Sequence, residues 1–289
     1  MKSRVLKLLC VFCMMIFLVG CQEKSNNEEI KIKVSKEIDY LDIKIVSMLN
    51  LLNNISVQDY LITTEEISLG KEATSGESEN SSEKKSKSMQ MSGQDKSEEK
   101  NNVSITQMES QNILESDENK IDWKTIKNEI ETINEAWAVV ILDLTSLNID
   151  NNNILTFSSI LDESILSIKN EDKQTSLSNL ARLYEILPKL EKEIEIENVN
   201  INIKKIKSNI INAYSRIEKD EWTEIEKSIV EADENFKTLT NDTEYIKNKE
   251  YKINRTYILL KELQNSLEYR DKKLFYVKYK NLIESINSL

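Results

Sequence analysis

Apolar side chains recur every three or four residues through most of this chain, the spacing of one face of an α-helix. Ile38, Leu41, Ile45, Met48, Leu52 and Ile55 form a first stripe. The longest runs through Trp123, Ile126, Ile130, Ile133, Trp137, Val140, Leu144 and Leu147. Its mean step is near 3.5, that of a seam in a helical bundle. Asp122 precedes it as an N-cap or first-turn acid. Residues 148–153, rich in Asn and Asp, read as a turn. Ile154, Phe157, Leu161, Ile165 and Ile168 mark the next helix, and Leu177, Leu180, Tyr184 and Leu187 the one after. Pro188, the one proline, kinks or ends that helix. Further stripes begin at Ile203, Trp222, Ile253 and Phe275, the last reaching Leu289.

Two of these series match each other. Asp122-Trp123, Ile126, Ile130 and Trp137 align without gaps on Glu221-Trp222, Ile225, Ile229 and Phe236, a shift of 99 residues. The same shift pairs Ile154 with Ile253, Leu161 with Leu260, Glu163 with Glu262, and Asp172-Lys173 with Asp271-Lys272. The expected fold is all-α, a helical bundle or short superhelix of about eight helices, readable as two four-helix repeats. The expected divisions are residues 34–69 (a helix and an irregular segment), 121–198 (helical unit 1) and 199–289 (helical unit 2). Residues 70–120 are Ser, Glu, Lys, Gln and Asn with few apolar side chains; they are expected to be a disordered insert.

The first twenty residues break the pattern. Lys2, Arg4 and Lys7 precede an apolar run over residues 8–19, with no acid before Glu23. A helix of that run is roughly 18 Å long, short of a hydrocarbon core of roughly 30 Å. Basic start and short apolar run describe a secretory signal. The run closes on Leu18-Val19-Gly20-Cys21. This resembles the lipobox of bacterial lipoproteins, over residues 1–21 only. The resemblance implies cleavage after Gly20, a diacylglycerol on the Cys21 sulfur, and residence at the outer face of the cell membrane. Residues 1–20 would then be the signal peptide and 21–33 a polar tether. Cys10 and Cys13 would leave with the signal, so the mature chain could form no internal disulfide.

Composition narrows the chemistry. The 289 residues include no histidine, which removes Ser-His-Asp and Cys-His catalysis and the usual zinc sites. Four glycines, none after Gly93, leave no dinucleotide fingerprint, phosphate loop or nucleophile elbow. The net charge of −11 opposes general nucleic-acid binding. Residues 245–289 differ, with 10 basic and 5 acidic side chains.

Carboxylates and tyrosines are the remaining candidates. Glu129, Glu131, Glu135 and Asp143 lie off the main stripe or beside it, and Glu191, Glu193, Glu195 and Glu197 alternate after Pro188; both sets read as solvated faces. Trp123, Trp137 and Trp222 read as core. On the last helix Lys272, Tyr276 and Lys280 share one face with Lys273 beside them. An exposed tyrosine among lysines there is a candidate contact for an envelope protein or an anionic surface; the alternative is that this face packs on acidic helices of the same molecule or is solvated. No catalytic, cofactor or metal residue is assigned. The expected function is a membrane-anchored, non-enzymatic helical domain that binds a partner or acts as a scaffold. The alternative is an ion-binding protein or enzyme using carboxylates and tyrosines in an inter-helix cleft. Acids and tyrosines converging between helices would favour the alternative; a filled core with acids outside would favour the scaffold.

Overall fold

The computed structural model describes residues 2–55, 113–114, 121–147, 149–241 and 243–289, with side chains described from residue 27 onward except at 243–244. The irregular segment expected at 57–69, and all of the 70–120 insert except 113–114, lie outside the described residues.

The fold is all-α, with nine α-helices and no strand among the described residues: α1 (Lys2–Leu52), α2 (Trp123–Ser146), α3 (Asn151–Lys169), α4 (Lys173–Tyr184), α5 (Leu187–Glu193), α6 (Asn198–Arg216), α7 (Trp222–Leu239), α8 (Thr243–Ser266) and α9 (Lys272–Asn287). Helix α1 runs through the stretch expected as signal and tether. Among the described residues no helix is long and apolar enough to cross a membrane.

Helix starts follow local chemistry. The carboxylates of Asp122, Asp172 and Asp271 accept the backbone N–H groups of Thr125, Thr175 and Leu274 at 3.1, 3.0 and 2.7 Å. Each satisfies a donor that the first helical turn leaves open. Pro188 sits in the first turn of α5, where its missing N–H costs no hydrogen bond; α4 has already ended at Tyr184. Of the long stripe, Ile126, Ile130, Ile133, Trp137, Val140 and Leu144 are buried, each burial favouring the fold by roughly 1.5–3 kcal/mol.

The repeat is visible in the backbone. Trp123 opens α2 and Trp222 opens α7; Lys173 opens α4 and Lys272 opens α9. Helix α3 begins at Asn151, and α8 contains a non-helical residue, Lys249 (φ −135°), immediately before the position 99 residues on. Helix α1 and the 3₁₀ turn after α6 end alike, on left-handed Asn54 and Asp220. Units α1–α4 and α6–α9 are thus two four-helix arrays, with α5 between them. Within them α1 packs on α2 and α4, α3 on α4, α6 on α7, and α8 on α9; α6 also touches α4, α5 and α9. Lys204 meets Asp39, Lys207 meets Asp42, and Tyr214 meets Leu49, each pair separated by 165 residues. A constant offset means that α1 and α6 run parallel along this contact.

Candidate functional site

The α1/α6 contact gathers buried charged and amide groups, Asp42, Asn50, Lys204 and Lys207 among them. Residues 39, 42, 49, 50 and 53 lie on the face of α1 toward α6 and α9, while Lys204, Lys207 and Tyr214 lie on the matching face of α6. Tyr276 and Tyr279 of α9 and Glu191 of α5 close the seam.

At one end is a chain of ion pairs. Lys204 Nζ lies 2.6 Å from Asp39 Oδ1 and 2.8 Å from Glu191 Oε1. Lys207 Nζ donates to both oxygens of Asp42, at 2.8 and 2.7 Å. The Glu191 side chain is 0 % exposed, whereas that of Asp39 is 55 % exposed and forms the water-facing rim. The contact of Glu191 with Lys204 is a close ion pair, in which both the charge and a hydrogen bond from the ammonium act on the carboxylate. Burial raises the Glu191 carboxyl above the usual range, and Lys204 offsets this only in part. Burial would lower Lys204, but the charges of Glu191, Asp42 and Asp39 outweigh it and hold the ammonium above its ordinary value.

The other end is aromatic. The Tyr214 and Tyr279 rings stack with centroids 4.3 Å apart, and Tyr276 meets Tyr214 edge-on at 5.5 Å. Tyr214 Oη donates to the Leu49 carbonyl at 3.0 Å, and Tyr279 Oη to Asn50 Oδ1 at 3.1 Å. Burial pushes both phenols far up, so they stay neutral. Neither side-chain amide atom of Asn53, only 5 % exposed, makes a well-directed hydrogen bond, although its amide approaches the Tyr214 hydroxyl; Asn50 Nδ2 makes none. A buried polar atom left unpaired costs about 1–3 kcal/mol, so such a cluster calls for a physical account.

A third group flanks the tyrosines. Glu218 accepts from Lys173 Nζ at 2.8 Å and from Tyr276 Oη at 3.0 Å. Burial acts to raise this carboxyl, but the Lys173 hydrogen bond and charge and the Tyr276 hydroxyl lower it overall. Buried ion pairs add little net stability over well-packed apolar side chains. Their concentration on one seam therefore marks a candidate site.

The residues singled out from the sequence fall in different places. Glu191 is buried in the seam, against the expectation of a solvated run; Glu193 is half-buried and Glu195 and Glu197 are exposed. Glu131 and Glu135 are exposed, whereas Glu129 pairs with Lys44 at 2.8 Å and Asp143 with Lys33 at 2.7 Å. Trp137 and Trp222 are buried and Trp123 is half-buried against the core. Tyr276 is 4 % exposed, not a surface tyrosine, because the face it shares with Lys272 packs on the end of α6. Lys272 reaches the Glu218 carbonyl at 3.3 Å and the Asp220 carboxylate at 3.1 Å. Lys273 donates to the Leu114 carbonyl at 2.8 Å, and Lys280 stands 4.0 Å from Glu284. Cys21 lies among residues whose side chains are outside the description.

Reasoning from the sequence missed Asp39, Asp42, Asn50, Asn53, Lys204, Lys207 and Tyr214. The reading of a plain non-enzymatic scaffold or partner-binding domain is overturned by the same geometry. Acids, lysines and tyrosines converge between helices, where a scaffold would have a filled apolar core. Among the described residues no group of three or more His, Cys, Asp or Glu is arranged to hold a metal ion. No family model matches the chain, and neither a curated protein nor a solved structure matches it.

Proposed function

We propose that the protein binds a small ion in the seam between α1, α6 and α9, and that the ion is a monovalent cation. The observation that carries this reading is Asn53, buried beside two stacked tyrosines, with no well-directed hydrogen bond and its amide turned to the Tyr214 hydroxyl. The hydroxyl hydrogens of Tyr214 and Tyr279 are already committed to Leu49 and Asn50. What Tyr279 has left to offer is oxygen lone pairs, while the Tyr214 oxygen also faces the Asn53 amide. Together with Asn53 Oδ1 they make a neutral oxygen set, the kind that suits a hard cation. Asp42 acts electrostatically on Tyr279, and its charge is paired with Lys207.

Thermal unfolding in sodium, potassium or choline chloride at one ionic strength tests the reading. Saturable stabilisation by one alkali cation, absent in Asn53→Leu, is expected. Equal melting in all three salts would refute it.

We further propose that the domain is held at the outer face of the cell membrane by lipid on Cys21. The Leu18-Val19-Gly20-Cys21 motif after a short apolar run supports this; two acyl chains give stable anchoring. Cys21→Ala should move the protein from the detergent phase to the aqueous phase. A variant that still partitions with membranes and is still cut after Gly20 would sink the proposal.

A further inference from the structure

A second face of α6, rotated away from the seam, borders a cleft of about 160 Å³ against α4. Its floor is made of small side chains, Ser178 and Ala181 from α4 and Ser215 from α6. Larger residues would fill this space; here the two helices leave it open. Around the rim stand Arg182, Arg216 and Lys219, with the carboxylates of Glu185 and Glu221. Cations therefore outnumber carboxylates by three to two.

Ion pairs and hydrogen bonds engage part of these groups: Arg216 pairs with Glu221 and Arg182 with Glu163. Glu221 is taken by Arg216 Nη1 at 2.9 Å, and Glu185 accepts from Asn212 Nδ2 at 3.0 Å. Arg216 Nε donates to Asn212 Oδ1 at 2.9 Å, which fixes the guanidinium and leaves Nη2 over. Arg182 engages Glu163 and Asn179 through Nη1 alone. The groups left to act on a ligand are the remaining guanidinium nitrogens, the Lys219 ammonium and the Ser178 hydroxyl. These are donors; the second oxygens of Glu185 and Glu221 stand beside them as acceptors. Each arginine also lies in the last turn of its helix, where a cation is favoured by the helix dipole. The dipole accounts for one cation at each helix end. It does not account for their convergence on an open cleft with a small-residue floor.

We propose that this cleft binds a small oxyanion, a phosphate or carboxylate group, through Arg182, Arg216 and Lys219. Planar guanidinium forks match the oxygen geometry of either group. A volume of about 160 Å³ leaves room for a few further heavy atoms beyond the anion itself. The site is independent of the cation seam, which lies on another face of α6.

Calorimetric titration with inorganic phosphate and, separately, with acetate tests the proposal, against chloride at equal ionic strength. Binding of at least one probe in the parent protein is expected, and the stronger probe identifies the oxyanion. Arg182→Gln and Lys219→Gln replace exposed side chains, so unfolding should be unchanged while affinity falls about tenfold or more in each. No heat from either probe would overturn the proposal. So would binding that both variants leave unaltered, which would place the anion elsewhere.

Discussion

Glu171 and Arg270 occupy the same turn of two successive repeats, and both hold left-handed backbone, at φ 57° and 49°. Each immediately precedes the aspartate that caps the next helix, Asp172 or Asp271. Left-handed backbone crowds Cβ against the following carbonyl, and a second branch on that carbon makes it worse. Glu171→Val and Arg270→Val should therefore each lower stability by about 1–2 kcal/mol. Urea denaturation of both variants checks this; a loss at one site alone would show that the two turns are not equivalent.

Lys207 is the partner of a largely buried carboxylate, Asp42, whose side chain is 8 % exposed. Lys207→Met should cost about 3–5 kcal/mol, because it strands the Asp42 charge in the interior. Adding Asp42→Leu should restore most of that loss. Failure of the double variant to recover would mean that Lys207 contributes chiefly through packing of its stem.

Tyr279→Phe removes the donor to Asn50 while keeping the ring stacked on Tyr214. The exposed cost is an unpaired amide oxygen, about 1–3 kcal/mol. Chemical denaturation measures it, with Phe275→Leu as a control for ring packing without a hydroxyl.

Two carboxyls should pull the pH dependence in opposite directions. Glu191 is raised by burial, so the folded chain holds that proton more tightly than the unfolded chain. Stability from this group is greatest at low pH and is lost as pH rises through the raised value. Asp233 is lowered: burial opposes its charge, but hydrogen bonds from Lys237 and Lys261 outweigh burial. Its contribution is present above the ordinary aspartate value and is lost as pH falls through the lowered one. Denaturation curves across acid pH should show Glu191→Gln gaining on the parent as pH rises, and Asp233→Asn gaining as pH falls. Parallel curves for either variant would remove that group from the linkage.

The stripes and caps were legible in the sequence because they are local. Trp137 and Ile133 declare their burial by spacing alone, and Asp172 declares a helix start by standing before Lys173. Glu191 was not legible in the same way, though a signal existed. Leu187, Leu190, Glu191 and Ile194 fall at i, i+3, i+4 and i+7, so the acid occupies a stripe position once α5 starts at Leu187 and Pro188 stands in its first turn. Taking Pro188 as the end of the preceding helix hid that phase. The lysines 204 and 207 and the acids 39 and 42 gave less warning. Each sits one residue beyond an apolar position, and only the parallel approach of two helices distant in sequence turns that flank inward. The setting of Tyr276 gave little warning for a related reason, since Glu218, in the 3₁₀ turn that covers it, is 58 residues away.

The pairing of α1 with α6 and α9 also sets a timetable. Asn50 meets Tyr279 across 229 residues, which at 5–20 residues per second of synthesis is a delay of roughly 10 to 45 s. Helix α2 is made first and can shelter the apolar side of α1. The side that waits longest for its cover is the one bearing Asp39, Asp42, Asn50 and Asn53. Water is a good partner for those groups during the wait, where leucines would invite aggregation. The amide groups of Asn50 and Asn53 are among those left to water until the last helix arrives.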